Sequence, residues 1–218
     1  MDLTNRQLQR VEHYLNVKDI TYIDIRTEVF DHIVSDIEAK LEDKKLDFET
    51  VFYNVTDTWN KHLKQTSSFY FGIAYSLPKI VLDKAKKYFK KWFFLYFLAV
   101  LVFSFFVNKI NVVFYEGIKY ELNIFFKILT VLTFIASTLL FILKFREKQK
   151  STYSFILKTQ SWNFLIGAIL LFDFDFFNKN GNIAVGQIVL LVSSIFSTYI
   201  CFHFYKKHKE AIKKYKIS

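Results

Sequence analysis

After Lys91 the chain reads WFFLYFLAVLVFSFFV, sixteen residues from Trp92 to Val107 without one charged side chain. A bilayer core of ~30 Å is crossed by roughly 20 mostly apolar residues in a helix, and this run approaches that demand. Three further stretches do the same: Leu122 to Phe145, which carries Lys127; Tyr153 to Phe177, with Lys158 near one end and Asp173 and Asp175 near the other; and Ile183 to Tyr205, with His203 close to its end. A charge at the centre of a span costs roughly 2.5–3.5 kcal/mol on insertion scales, less toward the ends, where side chains snorkel to the headgroups. The expected spans are therefore residues 92–108, 122–145, 153–177 and 183–205, forming a transmembrane domain over 92–205.

Composition supports a helical membrane protein. Apolar residues make up 52% of the chain, while five Gly and one Pro leave few helix breakers or tight-turn residues. The single Cys excludes an internal disulfide framework and a multi-thiolate zinc site. The net charge of +10 is unevenly spread: residues 1–65 carry −4, so the remainder carries +14. A basic excess confined to the apolar part argues for a lipid partner rather than direct nucleic-acid binding, which needs a basic patch on a folded surface. The first 20 residues are polar and lack the apolar segment of a secretory signal.

Lysine and arginine positions orient the spans. Five lysines precede the first span between Lys84 and Lys91, four basic residues separate the second and third (Lys144, Arg146, Lys148, Lys150), and six follow the fourth from Lys206 onward. The two opposite loops hold only Lys109, Lys119 and Lys179. Fifteen against three places both termini in the cytoplasm and the protein in a bacterial inner membrane. The segment Asn178-Lys179-Asn180-Gly181-Asn182 has strong turn chemistry and predicts a tight connection between the last two spans.

Residues 1–65 read as a cytoplasmic module of three helices. The first, about Thr4 to Asn16, places Leu8, Val11 and Leu15 on one side. The second, about Tyr22 to Glu42, carries Tyr22, Ile25, Val29, Ile33, Ile37 and Leu41 at helical spacing. Asp47 suits the N-cap of the third, whose apolar face comprises Phe48, Val51, Phe52, Val55, Trp59 and Leu63. Residues 66–91 form a basic amphipathic linker helix, with Pro78 in its path, suited to lie on an anionic leaflet. Residues 206–218 form a basic cytoplasmic tail.

Three stretches carry a resemblance: L-x2-V-E-H-Y-L from Leu8 to Leu15, D-I-R-T-E-V-F-D-H-I from Asp24 to Ile33, and L-D-F-E-T-V-F-Y-N-V from Leu46 to Val55. Over about residues 8–60 the chain resembles the HAAS-type domain, a small helical module found before transmembrane or permease-like regions and often encoded beside PadR-type regulators. Where that family closes with a Leu-Gly-Asp-Pro type turn, this chain has Val55-Thr56-Asp57-Thr58-Trp59. The resemblance implies an interaction or signalling module and transfers no catalytic residue.

Within EVFDHIVSDIE, residues 28–38, Glu28, His32 and Asp36 fall at i, i+4 and i+8 along one helical stripe, with Asp31 beside it. A dinuclear metal site in a bundle takes Glu-x-x-His ligands from several helices, and neither Glu12 and His13 of the first helix nor Asp57 and His62 of the third supply that spacing. The stripe reads as a solvated face suited to contact with another protein. Lys127, Asp173 and Asp175 belong at similar depth near the outer ends of the second and third spans, so an intramembrane pair, Lys127 with Asp173, is expected. Cys201 and His203 read as a buried thiol and an interfacial imidazole, and Ser193, Ser194 and Ser197 as helix-packing residues. No phosphate loop, nucleophile elbow or HExxH motif occurs.

The sequence thus predicts an all-α polytopic membrane protein without cofactor or metal. The function expected is that of a non-enzymatic accessory or regulatory subunit that docks another membrane or cytoplasmic protein through its N-terminal module, with homo-oligomers open to it. The alternative is a small oligomeric transporter or channel using Lys127 and Asp173/Asp175.

Overall fold

The computed structural model describes residues 2–44, 46–109, 114–172 and 175–215. The fold is all-α apart from one short hairpin. Helix α1 (Asn5–Val17) starts at a capping box in which the Thr4 hydroxyl accepts the Gln7 N–H and the Gln7 side chain accepts the Thr4 N–H at 2.8 Å. In α2 (Ile23–Lys44) the stripe Ile25, Val29, Ile33 and Ile37 is buried, each side chain contributing about 1.5–3 kcal/mol. Helix α3 (Phe48–Leu63) opens on Asp47, whose carboxylate accepts the Thr50 N–H at 3.0 Å, and buries Val51, Phe52, Val55 and Leu63. These helices pack with α2 against both α1 and α3. Trp59 stays half-buried at the edge of α3 rather than in the core.

Residues 66–91 are helical only from Lys79. Before it, β1 (Gln65–Ser68) and β2 (Gly72–Pro78) form an antiparallel hairpin around a 3₁₀ turn at Phe69–Phe71. Thr66, Ser67, Ser68, Tyr70 and Tyr75 favour extended over helical backbone. Gly72 supplies φ +88°, where an L side chain is strained. Pro78 pairs with Gln65 at the strand end, and the Lys79 N–H donates to the Lys64 carbonyl at 2.9 Å.

Among the described residues, three helices of 31 residues each are long and apolar enough to cross a membrane: α4 (Lys79–Lys109), α5 (Glu116–Arg146) and α8 (Val185–Tyr215). The third expected span is not one continuous helix. It comprises α6 (Thr152–Gln160), a 3₁₀ turn at Ser161–Asn163 and α7 (Phe164–Leu170). The break falls in the stretch Lys158 to Asn163, polar apart from Trp162. The Thr159 hydroxyl donates to the Ile156 carbonyl at 2.8 Å and that of Ser161 to the Lys158 carbonyl at 3.3 Å, competing with the backbone for helix acceptors.

The chain packs as two units. The first is Met1–Lys87 with Gln149–Phe155 and Lys207–Ser218; the second is Tyr88–Lys148 with Ile156–Lys206. In the second, Val107, Leu170, Phe176, Phe177, Ile188 and Leu191 form a buried cluster. The turn before α8 closes by two hydrogen bonds, Asn178 N–H to the Asn182 carbonyl at 2.7 Å and Gly181 N–H to the Asn178 carbonyl at 2.9 Å. Ser193, Ser194 and Ser197 are buried, and the Ser197 hydroxyl donates to the Ser193 carbonyl.

Candidate functional site

Helix α2 presents Glu28, Asp31, His32 and Asp36 to solvent because its opposite stripe is consumed by the core. Glu28 forms a salt bridge with Lys84 of α4. The His32 ring stacks on Trp59 with centroids 6.4 Å apart and planes 22° apart. Trp59 in turn donates its indole N–H to Asp36 at 3.2 Å and meets His62 edge-on at 5.9 Å. The indole is therefore held in place by α2. Trp is among the residues enriched where protein interfaces concentrate their binding energy. No group of three or more His, Cys, Asp or Glu side chains suited to a metal ion occurs among the described residues.

A second exposed site lies on α1 and α3. A cleft of about 490 Å³ is lined by Arg6, Arg10, His13, Phe48 and Glu49, among others. Arg10 is positioned by the Phe52 ring, 5.2 Å from its guanidinium carbon, and by the Tyr53 hydroxyl at 3.3 Å. Beside it, burial and the nearby Asp57 push the Tyr14 phenol up to about 12. Its O–H donates to the Thr56 carbonyl at 3.0 Å and to Asn60 at 3.1 Å.

The first unit also contains a buried polar node. Asp24, 3% exposed, accepts the Thr152 N–H at 2.8 Å. The adjacent Ser151 hydroxyl lies 2.8 Å from Nδ1 of the buried His208, and the Ile23 N–H donates to the Lys150 carbonyl at 2.9 Å. Ser151 and Ser154 cap α6 reciprocally, at 2.9 and 3.2 Å. The node ties α2, the start of α6 and the end of α8. Its members are 57 and 128 positions apart, and none carries a local motif that names its partner.

In the second unit Lys127 and Asp175 pair at 3.0 Å. Asp173, the partner expected for Lys127, lies outside the described residues. Asn123 organises the cluster: its amide N–H donates to Asp175 at 2.9 Å and its carbonyl accepts the Phe176 N–H at 3.0 Å. A cavity of about 220 Å³ adjoins it, lined by Glu116, Lys119, Tyr120, Asn123, Asp175 and Lys179, among others. Asn123 was not among the residues singled out from the sequence, because a lone Asn one turn before a charged residue carries no signature. Cys201 is buried, and the His203 ring lies 4.7 Å from that of Trp92.

These features define an all-α protein in which, among the described residues, three helices are long and apolar enough to cross a membrane. Comparison with family models, with curated proteins and with solved structures finds no match.

Proposed function

We propose that this chain is a four-span protein of the bacterial inner membrane with both termini cytoplasmic, serving as a non-enzymatic accessory or regulatory subunit. One observation carries the reading. The three segments expected on the cytoplasmic side, namely the N-terminal region, the connector between the second and third spans and the basic tail, each contribute to one packed unit made of Met1–Lys87, Gln149–Phe155 and Lys207–Ser218. The chain leaves that unit after Lys87, returns at Gln149, leaves after Phe155 and returns at Lys207. Two departures and two returns give four crossings once α4, α5 and α8 are taken as spans. The stretch from Ile156 to Leu170 then makes the remaining one, its ~22 Å of helical rise being shorter than the ~30 Å of hydrocarbon, a mismatch that a bilayer meets by local thinning. Lipid as solvent also accounts for Phe94, Phe97, Leu98, Leu101, Phe105 and Phe106 of α4, each more than half exposed.

The docking surface in this reading is the α2 face with Asp31, His32 and Asp36 around Trp59. Its acidic and aromatic character suits a partner segment bearing Arg or Lys. The resemblance of residues 8–60 to HAAS-type domains fits the same role. A photo-crosslinking amino acid at Asp31 or His32, introduced in the native host, should trap one defined protein, with the adduct lost in Trp59→Ala. Crosslinks confined to positions outside this face would refute the docking role. A fluorescent-protein fusion after Ser218 should be bright, whereas a periplasmic C-terminus would refute the topology.

A second reading, a small transporter or channel, is favoured by the Lys127–Asp175–Asn123 cluster beside its cavity. It predicts solute flux in proteoliposomes that disappears with Asp175→Asn.

A further inference from the structure

We propose that the tip of the β1–β2 hairpin is a lipid-interface anchor, with Phe69 and Ile73 as the inserted side chains. The inference rests on the membrane reading above and adds a contact which that reading does not require. Phe69 is 87% exposed and Ile73 81% exposed, the two most exposed large apolar side chains among the described residues of the first unit. Apolar exposure in the hairpin is concentrated at this tip, since β1 is Gln-Thr-Ser-Ser and Leu77 and Pro78 are half-buried or buried at its base.

The tip is rigidly placed. Ser68 pairs with Gly72, and the 3₁₀ turn between them buries Phe71 at 4% exposure against Phe155, ring centroids 5.0 Å apart. Tyr75, two residues beyond Ile73 on the same strand face, meets Phe155 at 6.1 Å. Phe155 is the fourth residue of α6, and with Ile156 and Leu157 it begins the apolar run of that helix. The hairpin turn is thus seated on the first turn of α6, where this segment passes from polar to apolar residues. Lys148 and Lys150 lie just before that point in sequence, whereas Lys79 stands at the base of the hairpin, beyond the Gln65–Pro78 pair. An aromatic and an aliphatic side chain seated beside a helix start that follows two lysines match the boundary between acyl chains and anionic phosphate headgroups. A soluble partner would not require this juxtaposition of apolar tip, helix entry and cations.

The test uses the full chain in nanodiscs of phosphatidylethanolamine and phosphatidylglycerol. Single cysteines are spin-labelled in a Cys201→Ser background (Cys201→Ala serves if that variant misfolds), and power saturation compares collisions with oxygen and with a water-soluble nickel chelate. Labels at Phe69→Cys and Ile73→Cys should favour oxygen, as should one at Leu98→Cys on α4. A label at Tyr53→Cys on α3 should favour nickel. Nickel-accessible positions 69 and 73 beside an oxygen-accessible position 98 would overturn the anchor and leave the membrane reading standing. Exclusion of both reagents at 69 and 73 would also overturn it, marking a protein-covered tip. Nickel access at position 98 would overturn the membrane reading and the anchor together.

Discussion

Asp24 accepts the backbone N–H of Thr152 at 2.8 Å across 128 residues of sequence, and both groups are buried. The carboxylate satisfies an amide at the start of α6 that has no partner within its own helix. A local property of one helix, its beginning, is thereby completed by the first turn of another.

Replacing that carboxylate tests the tie. Asp24→Ala leaves the Thr152 N–H buried and unsatisfied, which costs about 1–3 kcal/mol. Asp24→Asn retains an oxygen acceptor and should lose less. Thermal unfolding of the purified protein in detergent checks both, and equal midpoints for the two variants and the parent would remove the tie from the account.

Asn123 should matter more than the charge pair it supports. Asn123→Ala removes the acceptor of the Phe176 N–H as well as a donor to Asp175, at about 1–3 kcal/mol. Lys127→Ala breaks an exposed pair worth at most about 1 kcal/mol. The order of the two unfolding midpoints decides the point.

Gly72→Ala separates backbone strain from crowding. A Cβ there would approach no atom closer than Tyr75 Cδ2 at 3.7 Å, an ordinary contact, yet φ is +88°. The expected loss of about 1–3 kcal/mol is therefore conformational. In the nanodisc experiment the same variant should loosen a spin label at position 69. An unchanged label mobility would show that the turn does not depend on glycine.

Alkaline pH should unfold the first unit in a defined window. Burial, with the coulombic effect of Asp57, pushes Tyr14 to about 12. Burial, with Asp19 and Asp24, does the same for Tyr22. A raised folded pKa favours the protonated phenol, so this stability is complete below the unfolded value near 10 and is lost as pH rises from there toward 12. Tyr14→Phe should flatten the decline of the unfolding midpoint over that window. A parent midpoint that stays level above pH 10 would contradict the burial of both phenols.

What was legible in the sequence depended on neighbours within a few positions. The stripe Ile25, Val29, Ile33 and Ile37, the Asp47 cap and the turn at Asn178 to Asn182 are each specified by local spacing or local hydrogen bonding, and each is found where the pattern puts it. The hairpin was not legible as such. Phe69 to Leu77 is mostly apolar and aromatic, broken by Gly72 and Ser76, without the two-residue alternation that marks a half-buried strand. The break between α6 and α7 was hidden for a similar reason: its apolar content fits a span, and only the hydroxyl-to-carbonyl bonds of Thr159 and Ser161 disclose the irregular turn.

The sequence by itself determined that long apolar helices follow a polar, three-helix start and that basic residues gather in three of the connecting or terminal segments. Both are sums over local composition. Only the tertiary structure decided that Lys127 meets Asp175, that Trp59 is braced by His32 and Asp36, and that Asp24, Ser151 and His208 converge in one buried node. Those pairings join residues 23 to 128 positions apart. A side chain's identity fixes which partners it accepts, but the path of the chain fixes which of them come within 3 Å.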